Sequence, residues 1–387
     1  MTTTGPIFHL DAAAIRERTS CKYQQYDADV LPLWVAEMDC ALAPPIAERL
    51  AEAVRLGDTG YPMLDRQLPD ALAGYAADRW SWQIDPARVR PVPDVGVGVT
   101  ELLRNNLEPG DRVVVSSPVY PPFYIWTAKM RGELIDVPLL RGEEEWTLDL
   151  DGLRAAFADG AAAYLLCNPA NPVGRGWRAA ELSALAELAA EYGVLVVADE
   201  IHAPLALEGA QFVPFLTVSD TAREVGVSVL AASKGWNLAG LKCAQIVAGS
   251  QTAQARMRRI HEYTFESVGH FGMLATIVAW SAGREWRDQA VRELSANREL
   301  LSQLVAEHLP AARYLPPEAT YLGWLDLTAY GWGDTPSRRI LKEARVAVNP
   351  GPSFGATGRG CTRINFACSP QVLTEAMERI GALAAAG

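Results

Sequence analysis

Three stretches decide the fold. Ala162-Ala163-Tyr164-Leu165-Leu166-Cys167 runs into Asn168-Pro169-Ala170-Asn171-Pro172-Val173-Gly174-Arg175. Val194-Leu195-Val196-Val197-Ala198 runs into Asp199-Glu200-Ile201-His202. Val227-Ser228-Val229-Leu230-Ala231-Ala232 runs into Ser233-Lys234-Gly235-Trp236-Asn237-Leu238-Ala239-Gly240-Leu241-Lys242. Short apolar runs bounded by turn residues read as strands buried on both faces. Open α/β sheets hold ligands at the carboxyl ends of their strands. The three strands therefore deliver an amide (Asn171), a carboxylate (Asp199) and an amine (Lys234) to one edge of a sheet.

Those three groups are what a pyridoxal phosphate (PLP) site needs. The lysine holds the aldehyde as a Schiff base, the carboxylate partners the pyridinium nitrogen, and the amide steadies the ring oxygen. A lone lysine after a strand is ordinarily a solvated surface residue; the matching strand ends reverse that reading here. Asp199 follows an apolar run, and a half-buried acid calls for a cationic partner. His202 reads as a supporting group near the ring oxygen or Asp199. The Asn-Pro-x-Asn-Pro turn would by itself account for both asparagines.

Val95-Gly96-Val97-Gly98 places glycines before a helix, where backbone N–H groups bind phosphate. Ser233 and Lys242 are further candidate phosphate contacts. Tyr120, in a proline-rich turn, is a candidate to stack on the cofactor ring. Arg363 alternates with apolar residues in Thr362-Arg363-Ile364-Asn365-Phe366-Ala367. It is either an edge charge or a bidentate clamp for a substrate carboxylate.

Composition sets the bounds around this site. The chain has 387 residues, 49% of them hydrophobic and 21% charged, enough for a sizeable core and two domains. A net charge of −11 argues against a nucleic-acid or anionic-membrane surface. Only five lysines stand against thirty arginines, and two of the five lie in the Lys234 motif. The six cysteines show no CxxC pair or ligand spacing, so no metal is expected, and they read as reduced thiols of a cytoplasmic protein. No signal-peptide pattern and no apolar stretch near the ~20 residues of a membrane span are present.

From about Leu68 to Leu309, strand patterns alternate with amphipathic helices, which predicts a mainly parallel sheet covered on both faces. A long helix is expected from Trp286 to His308, a helix over Pro336 to Ala344, and a final helix from Pro370. We expect an α/β fold with a large PLP-binding domain at 48–285 and a smaller α+β domain at 286–387. The polar, irregular N-terminal segment 1–47 is expected to join the latter.

Further motifs give a resemblance. Arg18-Thr19-Ser20-x-Lys22-Tyr23, Leu31-Pro32-Leu33-Trp34-Val35-Ala36-Glu37-Met38-Asp39, Gly60-Tyr61-Pro62, Pro118-Val119-Tyr120-x-Pro122-Phe123 and Arg363-Ile364-Asn365-Phe366-Ala367 join the three stretches above. Over about Asp11 to Ile380 the chain resembles fold-type I PLP enzymes of the aminotransferase class I/II superfamily. Within them it resembles the MalY/PatB branch of cystathionine β-lyases and cysteine-S-conjugate β-lyases. The resemblance implies a seven-stranded sheet and PLP. It makes Lys234 the residue that binds PLP and removes the Cα proton, with Asp199, Asn171, Tyr120, His202, Ser233, Lys242 and Val95-Gly96-Val97 around the cofactor. It implies Arg363, Val35, Ala36 and Asn171 around the substrate, and a homodimer in which Tyr61 reaches the neighbour's phosphate. The implied reaction turns an S-substituted cysteine into thiol, pyruvate and ammonia; transamination on the same scaffold is the alternative. Ala170, Cys40 and Phe265–His270 depart from the branch pattern. Bordering the substrate mouth, they would suit a specialised S-conjugate.

Overall fold

The computed structural model describes residues 5–385. The first four residues of the expected N-terminal segment and the last two of the C-terminal domain lie outside the described residues. A central sheet holds seven strands: β1 (Val89–Val92), β2 (Arg112–Val115), β3 (Glu133–Asp136), β4 (Ala161–Cys167), β5 (Leu195–Asp199), β6 (Gly226–Leu230) and β7 (Ala244–Ala248). Their lateral order is β1-β7-β6-β5-β4-β2-β3. β7 runs antiparallel to both neighbours, and the remaining pairs are parallel.

The parallel pairs explain the sequence pattern. Each needs a crossover that covers the sheet, so the strands lie buried and carry uninterrupted apolar residues. Helix Ala179–Tyr192 makes the crossover from β4 to β5, burying Leu182, Leu185, Ala186, Leu188 and Ala189. Gly193 ends it in the left-handed conformation (φ 70°) that glycine adopts at least cost. The register aligns Cys167 with Asp199 and Asp199 with Val229. The stretches ending in Asn171, Asp199 and Lys234 therefore finish side by side.

A second, antiparallel sheet holds β8 (Arg313–Tyr314), β9 (Leu322–Asp326), β10 (Asn349–Pro350) and β11 (Cys361–Asn365), in the order β8-β9-β11-β10. Helices Arg284–His308 and Pro370–Ala385 pack against each other beside it. At Gly323 in β9 a Cβ would meet Leu301 Cδ2 of the first of these helices at 2.9 Å, so the absence of a side chain there lets the helix pack closely.

Three local expectations change. The stretch from Pro336 to Ala344 divides into an α-turn, Pro336–Arg339, and a π-turn, Ile340–Ala344. A short hairpin, Leu140–Arg141 with Trp146–Thr147, was not anticipated. The N-terminal segment is less irregular than its polarity suggests. It carries one-turn helices at Ala12–Ile15 and Cys21–Gln24 and a strand, Leu31–Pro32, paired parallel with Val346–Ala347. The Glu293 carboxylate accepts from the Ile7 and Phe8 amides at 2.8–3.0 Å, tying the segment to the long helix. All six cysteines are unpaired.

Candidate active site

The carboxyl ends of β4, β5 and β6 open into a cavity of about 270 Å³. Asp199, the last residue of β5, is 4% exposed, and its Oδ1 accepts from the Ile201 amide at 3.1 Å. Burial pushes its carboxyl up to about 7, against the pull of that hydrogen bond and of the Lys234 charge. It has no ion-pair partner among the described residues. A buried acid in that state is a receptor for a cationic N–H.

Lys234 reaches the same cavity from the loop after β6. Its Nζ donates to the Ala36 carbonyl at 2.8 Å. Burial, reinforced by the Arg363 charge, lowers its ammonium to about 8, while Glu37 and Asp199 oppose the shift. Trp236, two residues on, anchors the loop. It is fully buried, its indole donates to Gly283 O at 2.8 Å, and it packs edge-on against Trp280 at 5.1 Å.

Arg363 stands on β11 of the second sheet, 2% exposed. Its Nη1 donates to Asn171 Oδ1 at 2.9 Å and its Nη2 to Trp34 O at 3.1 Å. With its amide turned to satisfy both neighbours, Asn349 also accepts from Nη2 at 3.0 Å and donates to Trp34 O at 2.8 Å. No carboxylate pairs with this guanidinium among the described residues, and its Nε lacks any partner. Burial lowers its pKa to about 10, so it remains a cation at neutral pH. A buried fork of donors without a protein carboxylate has the chemistry to receive one.

His202 lines the cavity 2% exposed, edge-on to Tyr321 at 6.3 Å, with Nδ1 unpaired. Burial, with the charges of Lys234 and Arg363, holds its pKa well below the usual histidine range, so the imidazole is neutral. Tyr120 borders the cavity and meets Trp126 edge-on at 6.2 Å. Ser233, Lys242, Val95 and Gly96 also line the cavity. The N–H groups of Val95 and Gly96, in the first turn of helix Val95–Asn106, have no acceptor among the described residues. Taken together, an unpaired acid, a depressed amine, an amide, a ring platform and free helix-start donors fit PLP.

The Aminotransferase class I and II model matches residues 30–380. The chain belongs to that family. A Mycobacterium leprae protein named putative cystathionine beta-lyase is 42% identical, over 98% of each chain. The cystathionine beta-lyase PatB of Bacillus subtilis is 34% identical over 92% of each. Among solved structures, a putative PLP-dependent beta-cystathionase from Corynebacterium diphtheriae is similar at a TM-score of 0.93 with 34% identity, over 98% of this chain and 99% of that one. The architecture is the fold-type I α/β fold of this family.

Val97, Val35, Cys40 and Ala170 stand elsewhere than expected, and Tyr61, expected to serve a neighbouring subunit, lies apart from this cavity. Val97 does not line the cavity, because its N–H is taken by Asp94 Oδ1 at 2.8 Å. Val35 contributes its carbonyl to Asn365 Nδ2 at 2.7 Å rather than a side chain to the cavity. Tyr61 is 99% exposed, in a separate groove with Tyr263 and His270. Cys40 is buried beside the Lys22–Asp39 ion pair and does not border the mouth; burial pushes its thiol up to about 12. Ala170, 3% exposed, sits behind Asn171 rather than at the opening.

The structure adds groups that sequence reasoning missed. Asp94 caps helix Val95–Asn106 and pairs with Lys242 at 3.0 Å; an aspartate before a helix start was a readable cap signal. Asn365 donates to Val35 O and Glu37 O at 2.7 Å. Asn237 brackets Met38, accepting from its N–H and donating to its carbonyl, both at 2.9 Å. No pattern in the sequence announces those pairings.

Proposed function

We propose that Lys234, Asp199, Asn171 and Arg363 are the working groups of a PLP-dependent carbon–sulfur β-lyase acting on cystathionine or another S-substituted cysteine. The observation that carries this is the buried Arg363 fork, without a protein carboxylate and 2.9 Å from Asn171, in a site that also holds a depressed lysine and an unpaired aspartate. When bound, PLP supplies an aldehyde that captures amines and a ring that draws electrons from Cα.

Asp199 would hold the ring nitrogen protonated, and Asn171 would steady the ring oxygen. Tyr120 would stack on the ring. The amides of Val95 and Gly96, with Ser233 and Lys242, would hold the phosphate. Arg363 would bind the substrate carboxylate through both Nη atoms, fixing the amino acid so that Cα faces Lys234. Lys234, whose ammonium burial already disfavours, would take the Cα proton. The electron pair left at Cα would expel the β-sulfur as a thiolate, and water would release the remaining fragment as pyruvate and ammonia. Neutral His202 lies against this site as a structural support.

We read residues 48–285 as the cofactor domain and 286–387 with 1–47 as the smaller domain. We also propose a cytoplasmic homodimer, supported by the exposed apolar stretch of Val54, Leu56, Tyr61 and Met63 on each protomer. Tyr61 would then serve the neighbour's phosphate.

Purified, PLP-loaded protein incubated with cystathionine and S-methyl-, S-ethyl- and S-benzyl-cysteine tests the reading, with Lys234→Ala as the blank. Equal thiol and pyruvate are expected, and the ranking reports the pocket's shape. No thiol, but a new amino acid from added 2-oxo acid, would replace the lyase by an aminotransferase.

A further inference from the structure

Trp126 stands on helix Pro122–Lys129, 7% exposed, and lines the active-site cavity beside Gly96. A Cβ on Gly96 would lie 2.9 Å from Trp126 Nε1 and 3.3 Å from Cε2 and Cζ2. In an α-helix each Cα–Cβ bond tilts toward the N-terminus. The indole nitrogen therefore lies over the opening turn of helix Val95–Asn106, the turn whose first two N–H groups have no acceptor among the described residues. Gly96 is in ordinary helical conformation there, so the glycine makes room for the indole instead of supplying backbone freedom.

An indole nitrogen can only donate, and a buried one usually finds a partner. Trp177 and Trp236 do so, donating to Cys167 O and Gly283 O, both at 2.8 Å, as does half-buried Trp34 to Lys22 O at 3.3 Å, whereas Trp280 Nε1 is enclosed in the core without one. Trp126 Nε1 has no acceptor among the described residues; the residue is 7% exposed and lines the cavity, and unlike Trp280 Nε1 its nitrogen is not sealed in the core. It is thus a third unpaired N–H beside those of Val95 and Gly96, on the wall of the same cavity. Three convergent donors at a helix start suit a phosphate oxygen.

We infer that Trp126 Nε1–H is a phosphate donor, binding the cofactor's phosphate together with the Val95 and Gly96 amides. This rests on the PLP reading above. Phenylalanine keeps an aromatic ring against Phe123 (5.0 Å between centroids in the wild type) and removes the donor together with part of the indole's volume, a packing loss that both ligands of the test below share.

The test compares two ligands that differ by the phosphate. Cofactor-free, full-length protein and Trp126→Phe are titrated with PLP and with pyridoxal, and the phosphorus resonance of bound PLP is recorded. The substitution is expected to raise the Kd for PLP about tenfold, the worth of one hydrogen bond to a charged group. The Kd for pyridoxal should not change, and the phosphorus resonance should shift. An unchanged ratio of the two affinities, whether both hold or both fall together, overturns the inference. Wild-type protein that bound no PLP would instead overturn the cofactor reading on which it rests.

Discussion

Lys234 Nζ donates to the carbonyl oxygen of Ala36 at 2.8 Å, and Tyr321 Oη donates to the same oxygen at 3.0 Å. One carbonyl of the N-terminal segment thus joins the loop after β6 to the second sheet. Among the described residues it is also the only compensation Lys234 receives at hydrogen-bond distance, and burial is the largest influence on its titration.

That depression is a stability cost in the cofactor-free protein. The unfolded lysine titrates near 10.5 and the folded one near 8, so between those values the unfolded chain binds more protons. Stability from this group therefore rises with pH through that window and is lowest below it. Lys234→Met should stabilise the cofactor-free protein at pH 7 by on the order of 1 kcal/mol, discounted for partial exposure. By pH 10 the advantage should vanish. Urea unfolding at the two pH values checks this; an equal difference at both would contradict it.

Asp199 carries the opposite sign. Its folded pKa of about 7 lies above the unfolded value of 3.8, so its contribution falls as pH rises through that window. Binding of a ring N–H relieves the cost. The thermal shift on adding PLP should therefore be larger at pH 8 than at pH 5, and Asp199→Asn should flatten that difference. The same substitution should cut turnover by roughly a hundredfold or more, because a ring without a held proton is a weaker electron sink. Differential scanning of wild type and variant at both pH values, with and without PLP, reads the first effect directly.

What the sequence made legible follows from how the site is built. Asn171, Asp199 and Lys234 could be found because buried parallel strands leave uninterrupted apolar runs, and each run points at its own last residue. Arg363 was ambiguous, since alternation on a strand says which face a side chain takes but not what lies opposite. Cys40 was misplaced because outside a strand or helix no periodicity fixes direction; it turns inward to the Lys22–Asp39 pair. Trp126 could not be matched to Gly96, because two helices separated in sequence meet only through packing. The π-turn at Ile340–Ala344 escaped for a similar reason, its apolar spacing being indistinguishable from a helix.

Arg363→Lys should separate binding from chemistry. A lysine keeps the charge but cannot span two carboxylate oxygens while also reaching Asn171. KM for any productive amino acid should rise about tenfold to a hundredfold, with a smaller fall in kcat. Steady-state kinetics with the best thiol-releasing substrate decide it; an unaltered KM would remove Arg363 from the carboxylate site.

Asn237 offers the most stringent test of the segment that carries Ala36. It sits three residues after Lys234 at φ 58°, and its amide satisfies both backbone groups of fully buried Met38. Asn tolerates that left-handed conformation better than residues without a short polar side chain. Asn237→Gly removes the two hydrogen bonds and leaves the backbone at ease, whereas Asn237→Ala removes them and adds strain. Leaving the buried Met38 N–H unpaired costs about 1–3 kcal/mol, the carbonyl keeping Arg18 Nη1 at 3.3 Å, and the alanine should cost roughly 1 kcal/mol more. Both variants should loosen Ala36 from Lys234, so the apparent pKa governing turnover should move in both, by a similar amount. Chemical denaturation ranks the stabilities, and a pH–rate profile reads the coupling. If the glycine variant matched wild type in both, the bracket around Met38 would have no part in holding Lys234.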